Sequence, residues 1–333
     1  MQGNAFDIAL ILLQNKKVAF WAKTGVLVSL LAYVAYATTR QPFDSAVIGR
    51  ALGRTQNPVW WGLLLMLLTP VNWGFEALKW QVLVGRVERV SFRDAYRGVL
   101  AGLALGMAIP TGIGDTVGRV LSLKTRQRAD SVGAALVSGG MQFYVAIVMG
   151  AAAWTVHLAR VPTRDSPAAR GLAVGLWVLT GLGVVLALSR RSLVAWSGKW
   201  AFSSRFAHYW AVAGHYTGAE MGAAFGAATL RYLTFSGQFL IVLHLYGLLL
   251  PTPDLLAGVG LVFLVKTITP AFNWLSDLGV REAAALWVFG PYALPAPVLV
   301  ASTLTLWMVN ILAPVLVGVV SVWHLRLTDT RPV

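Results

Sequence analysis

Ionisable side chains sit where an apolar chain has least use for them. Glu76 and Lys79 lie three residues apart in a long apolar run, with Asn72 one turn earlier on the same helical face. Arg231 opens another such run, with Ser236 and Gln238 deeper in. Lys266 stands one turn before Pro270. Asp115 and Arg119 are four apart, and so are Asp277 and Arg281, the latter followed by Glu282. Charge inside a membrane span is costly and marks a functional candidate. A guanidinium fork suits a phosphate. Glu76 could counter the cations or carry a proton. Ordinary roles compete: Lys79 could snorkel to the interface, Arg231 could pair with Glu76, and each Asp–Arg pair could be a helix cap or i,i+4 glue. Gln142 and Asn310 read as helix–helix hydrogen bonds. Trp60, Trp61, Trp80, Trp287 and Trp323 read as an interfacial belt.

The elements that must position these groups are membrane helices. Hydrophobic residues make up 57% of the 333, charged residues only 12%. Soluble domains carry about 25% charged residues, so a soluble enzyme is excluded, and the apolar content excludes disorder. The net charge of +14 reads as loop charge facing anionic headgroups, and nucleic acid is not expected as a partner. The absence of cysteine removes disulfide and thiolate chemistry. The five histidines form no metal motif, and no phosphate-binding glycine loop is present. No metal, cofactor or catalytic residue is expected, and the chain does not read as an enzyme.

About 20 apolar residues cross a bilayer core. Six runs meet that length: 18–38, 58–80, 131–156, 171–189, 227–250 and 297–323. Two shorter ones, 95–109 and 255–269, each end at a proline, Pro110 and Pro270. Gly112 and Gly114 follow the first break and Gly279 follows the second, so these glycines and prolines are the expected hinges. Each break reads as a re-entrant helical hairpin, since non-helical backbone at membrane depth survives only within protein or beside water. The expected fold is all-α, with six full spans and two re-entrant hairpins. The shared order of proline, acid and arginine divides the chain into inverted repeats, about 58–156 and 227–323, in a single membrane domain. Residues 192–222 read as an interfacial amphipathic segment.

If the hairpins do not cross, seventeen of the 27 Lys and Arg fall on one side of the membrane. Arg40, Arg50, Arg54, Arg160, Arg164 and Arg170 fall on the other. The remaining four, Lys79, Arg231, Lys266 and Arg281, lie in or near the bilayer. The positive-inside rule then puts both termini in the cytoplasm of a multi-pass inner-membrane protein.

Four stretches carry a family likeness: Thr69 to Trp80, Pro110 to Arg119, Arg231 to Phe239 and Leu278 to Glu282. On them the chain resembles the flippase-like transmembrane region of the lysylphosphatidylglycerol synthases, in the stand-alone form seen in Bacteroidota. The resemblance implies movement of a phosphate-bearing lipid between leaflets, with membrane lipids as partners. The synthases add a soluble aminoacyl-transferase domain. This chain ends ten residues after its last apolar run, so it is not expected to make lysyl-lipid itself. A non-catalytic scaffold of an envelope glycolipid pathway, or a lipid-modifying enzyme, are the alternatives.

Overall fold

A computed structural model describes residues 55–108, 113–125, 128–197, 207–269 and 274–323, with Gly49 and Gly53 ahead of them. The described residues are helical and contain no strand. Four helices are long and apolar enough to cross a membrane, over Pro58–Val84, Ala129–Arg160, Pro167–Trp196 and Ala296–Val322. They correspond to four of the six expected spans. The expected span 18–38 and the breaks at Pro110, Gly112 and Pro270 lie outside the described residues.

Helix α1 (Pro58–Val84) starts at Pro58, where a proline costs no helical hydrogen bond. It continues through Pro70, which has no N–H to give the preceding turn. Helix α2 (Phe92–Ala108) and α3 (Ile113–Leu121) flank the first break. Long α4 (Arg128–Arg160) and α5 (Pro167–Ser197) follow, joined by a 3-10 turn over Pro162–Arg164. In that turn region Arg170 hydrogen-bonds Asp165 and holds its carboxyl below the ordinary carboxylate range. Then come α6 (Ala207–His215) and α7 (Gly218–Leu245). Helix α7 is opened by a reciprocal capping box between Thr217 and Glu220. Helices α8 (Thr252–Ile268) and α9 (Trp274–Phe289) flank the second break. The last span runs as α10 (Ala296–Trp307), a π-helical stretch over Met308–Leu312, and α11 (Ala313–Trp323).

Two expected boundaries change. The run expected over 227–250 is helical from Gly218 and stops at Leu245, because Gly247 takes φ 63 and turns the chain away. Although 28 residues long, it is not among the four apolar spans; it carries Arg231, Gln238 and His244. The segment expected as one amphipathic unit over 192–222 is divided. Its start is the end of α5, its middle includes α6, and its end opens α7. Helix α6 packs on α4 and α5, close enough that Gly133 of α4 meets the Tyr209 carbonyl.

Helices α1 and α7 form the axis of the bundle and run antiparallel. Leu83 accepts from Tyr216, Glu76 meets Arg231, Thr69 meets Gln238, and Thr55 bonds the carbonyl of Leu245. The loops sort to two ends. At one end Arg86 pairs with Glu220, Glu88 accepts from the backbone N–H groups of Lys124 and Thr125, and Arg190 bonds the Tyr216 carbonyl. At the other end Arg160 and Tyr292 both bond Asp254, and Arg164 bonds the Trp287 carbonyl. The two flanks of the first break, Glu88 and Lys124–Thr125, thus meet at one end, and the two flanks of the second, Asp254 and Tyr292, meet at the other.

Candidate functional site

Glu76 is the centre of the site. It lies eight residues before the end of α1, about 12 Å along the axis. Its side chain is 6% exposed, yet three cations reach it. Lys79 Nζ is 2.8 Å from Oε2, Arg119 Nη1 donates to Oε1 at 2.7 Å, and Arg231 Nε is 3.2 Å from Oε2. Each cation comes from a different place: Lys79 from the next turn of α1, Arg119 from α3, and Arg231 from α7. A buried carboxylate is held in its charged form only by such partners, and each buried cation needs the carboxylate equally.

Arg119 joins two acids. Its Nε donates to Asp115 Oδ1 at 3.0 Å, and its Nη2 is 3.0 Å from Asp115 Oδ2. The expected i,i+4 pair therefore forms, but it is also the arm that ties α3 to α1. Trp80 lies beneath the guanidinium, with the ring centroid 5.7 Å from Arg119 Cζ. Trp80 is fully buried, which corrects its expected place in an interfacial belt. It is also a site residue that sequence reasoning passed over. Its i,i+4 relation to Glu76 was the available signal.

Snorkelling by Lys79 is excluded by its placement. It is 1% exposed, bound to Glu76, and donates to Gln142 Oε1 of α4 at 3.4 Å. Arg231 differs. Its side chain is 28% exposed, and its two terminal nitrogens have no protein partner among the described residues. Asp115 is 40% exposed at the same network. The five charged groups sum to one net positive charge, and the open edge of the network is a guanidinium. Such an edge can take an anion through two parallel hydrogen bonds.

A neutral polar seam continues along the same face of α1. Asn72 Nδ2 donates to Asn310 Oδ1 of the π-helical stretch at 3.1 Å. Gln238 Nε2 donates to Thr69 Oγ1 at 2.9 Å and to the Leu65 carbonyl at 3.2 Å. Asn72, Thr69, Gln238 and Asn310 are all buried. Asn72 is about 20 Å from either end of α1, midway along the span.

Seven expected residues thus lie along one continuous strip: Asn72, Glu76, Lys79, Asp115, Arg119, Arg231 and Gln238. Three others do not pair with Glu76. Lys266, in the last turn of α8, is half-buried, and Arg281 and Glu282 are buried in α9. Among described residues the charged neighbours of Glu76 are Lys79, Arg119 and Arg231 alone. The side chain of Asp277 lies outside the described residues. Gly279 lies within α9. Gly114, expected as a hinge, is inside α3, where any Cβ would strike the Leu105 carbonyl of α2. No cluster of His, Asp and Glu suited to a metal occurs among the described residues.

Compared with protein-family models, curated proteins and solved structures, the chain finds no match.

Proposed function

We propose that this protein moves a phosphate-bearing lipid, of phospholipid or polyprenyl-phosphate type, between the leaflets of the membrane. One observation carries the reading. The flanks of the two breaks meet at opposite ends of the bundle beside one antiparallel helix pair, and a net-cationic network with a part-exposed arginine lies against α3. In a lipid transporter the headgroup needs cations at depth to offset its desolvation, while the tails stay in the bilayer. Arg231 is the group assigned to the phosphate.

The packing supports inverted repeats. Helices α1 and α7 have 27 and 28 residues, and α2 and α8 have 17 each. Helix α8 crosses α4 where Gly260 meets Ala153 and Gly150 meets Leu264. Helix α2 crosses α11 at the equivalent place, where Gly318 meets Leu100 and Ala104. Paired broken segments of this kind are the sequence mark of a transporter built from inverted repeats. In this reading both hairpins are re-entrant, the Glu88 end is cytoplasmic, and the halves rock about α1 and α7. The likeness to the flippase-like region of the lysylphosphatidylglycerol synthases points the same way. No catalytic group is called for.

The second reading is a membrane scaffold. It is favoured by the closure of Glu76, Lys79 and Arg119 upon one another. Translocation of a fluorescent phospholipid or polyprenyl-phosphate analogue in reconstituted vesicles separates the two. The Arg231→Ala protein should fold and lose translocation, while Arg170→Ala, at a 72% exposed side chain in the first turn of α5, should keep it. Wild-type protein that moves neither analogue, with or without a proton gradient, would make the scaffold the better account.

A further inference from the structure

At the end of the bundle opposite Glu88, one ionisable side chain is buried without a partner. His157, in the last turn of α4, is 1% exposed, and neither ring nitrogen has a hydrogen-bond partner among the described residues. Its ring stacks on Trp154, centroids 6.0 Å apart, and Trp154 stacks in turn on Trp287 of α9 at 6.1 Å. Three residues on, Arg160 grips Asp254 at the start of α8 with two bonds, 3.0 and 2.7 Å long. Tyr292, after α9, donates to the same carboxylate at 3.0 Å. Asp254 is 3% exposed, so this clasp is the buried polar tie that joins α4 to both ends of the α8–α9 hairpin.

The charges that act on His157 are those of Arg164 and Asp254, and Arg160 and Tyr292 are tied to Asp254. Arg160 is on its own helix, Asp254 on α8, Arg164 on the 3-10 turn and Tyr292 on the turn after α9. Asp165 and Arg170, ahead of and at the start of α5, are paired with each other. Arg164 is engaged by the Trp287 ring, 4.6 Å from its centroid, and by the Trp287 carbonyl. Of the two carboxylates named here, Asp165 is taken by Arg170, so the one a proton-bearing imidazole can compete for is Asp254, already holding Arg160 and Tyr292.

We propose that His157 is a proton-operated release for this clasp. Neutral imidazole is tolerated in the aromatic stack as an apolar ring. Imidazolium is not, because a buried charge needs a partner. It must compete for Asp254 against Arg160, or swing out and break the Trp154–Trp287 stack. Both routes loosen the base of the α8–α9 hairpin from α4. The device opens as the pH on that side of the membrane falls.

The absence of native cysteine makes the test direct. Spin labels on cysteines at the exposed positions Thr163 and Thr252 report the distance across the clasp in the full chain in vesicles. Between about pH 7.5 and about pH 5, where histidine changes charge, the distribution should lengthen and broaden. His157→Phe and His157→Gln, both checked for monodispersity and helix content, should hold the short distance at both pH values. A pH-independent distance in the unsubstituted histidine protein would overturn the proposal. So would an unchanged pH response in either folded variant. The readout is a distance, so it does not depend on whether the protein transports lipid.

Discussion

In the α2–α3 hairpin the two helices touch backbone to backbone, whereas in the α8–α9 hairpin an aromatic ring stands between them. Gly102 and Gly106 of α2 face Gly118 and Asp115 of α3, and Gly98 faces Ser122 just after α3. A Cβ on Gly118 would lie 2.6 Å from Gly102 Cα, and one on Gly102 would lie 2.6 Å from Asp115 Oδ1. In the second hairpin Gly258 of α8 meets the Phe289 ring of α9, and Phe263 stacks on Phe235 of α7. The bases differ as well. Two backbone N–H groups on Glu88 close the first, and an Arg–Asp–Tyr clasp closes the second. The lesson is that two helix pairs bounded by the same order of proline, acid and arginine in the sequence are held together in different ways. The first is a close-packed arm that brings Arg119 to Glu76. The second is a looser aromatic arm held at its base.

The largest effect should come from the carboxylate on which the first arm is anchored. Glu76→Gln leaves three buried or half-buried cations without their counter-charge, and removing one partner of a buried ion network costs about 3–5 kcal/mol. Loss of the monodisperse fraction on heating in detergent is the expected result. Glu76→Gln combined with Arg231→Gln should recover part of that loss, because it restores the net charge of the cluster. No recovery would mean that Arg231 is not coupled to Glu76.

Next in size is the packing of the two arms. Gly118→Ala should cost about 1–3 kcal/mol, the usual range for overpacking, because backbone cannot step aside. Gly258→Ala should cost less, because the Phe289 ring can tilt. Gly237→Ala, with open space around it, should be silent. Thermal unfolding of the three variants tests the order. Equal costs at 118 and 258 would erase the distinction between the arms.

Topology tests the comparison without unfolding anything. Single cysteines at 89 and 126 should label from one face of the membrane only, and those at 165 and 252 from the other only. Labelling of 89 and 126 from opposite faces would make the first hairpin a full span and remove the inverted repeat.

How much of this was legible follows from what each signal depends on. Span length depends on local apolar runs, so 131–156, 171–189 and 297–323 returned as helices of nearly those bounds or somewhat longer. Helices α2 and α8 end just short of Pro110 and Pro270, and the breaks expected at those prolines lie outside the described residues. Glu76 as a partner for Arg231 was legible because a buried charge must find its opposite. Trp80 was not, because an aromatic near a span end reads as belt unless the helix beside it is known. The end of α7 at Leu245 depended on the single αL glycine at 247, which an apolar run through Leu250 hides. The clasp at Asp254 joins residues 94 positions apart, and no local spacing reports that.

The smallest effect should come from the neutral seam at the middle of the span, and it decides which part of α1 is machinery. Asn72 and Asn310 form one buried side-chain pair, and Thr69 and Gln238 form another. Hydrogen bonds between membrane helices average about 0.6 kcal/mol in double-mutant cycles, because the separated helices find other partners. A cycle of Asn72→Leu and Asn310→Leu should therefore give a coupling of about that size, and Gln238→Leu a similarly modest loss. Lipid translocation should survive all three, since Arg231 lies seven residues, or roughly 10 Å, nearer the Glu88 end of the axis than Gln238. If translocation collapses in a folded Asn72→Leu protein, the headgroup path runs through the seam, and the site centred on Glu76 becomes its cytoplasmic anchor.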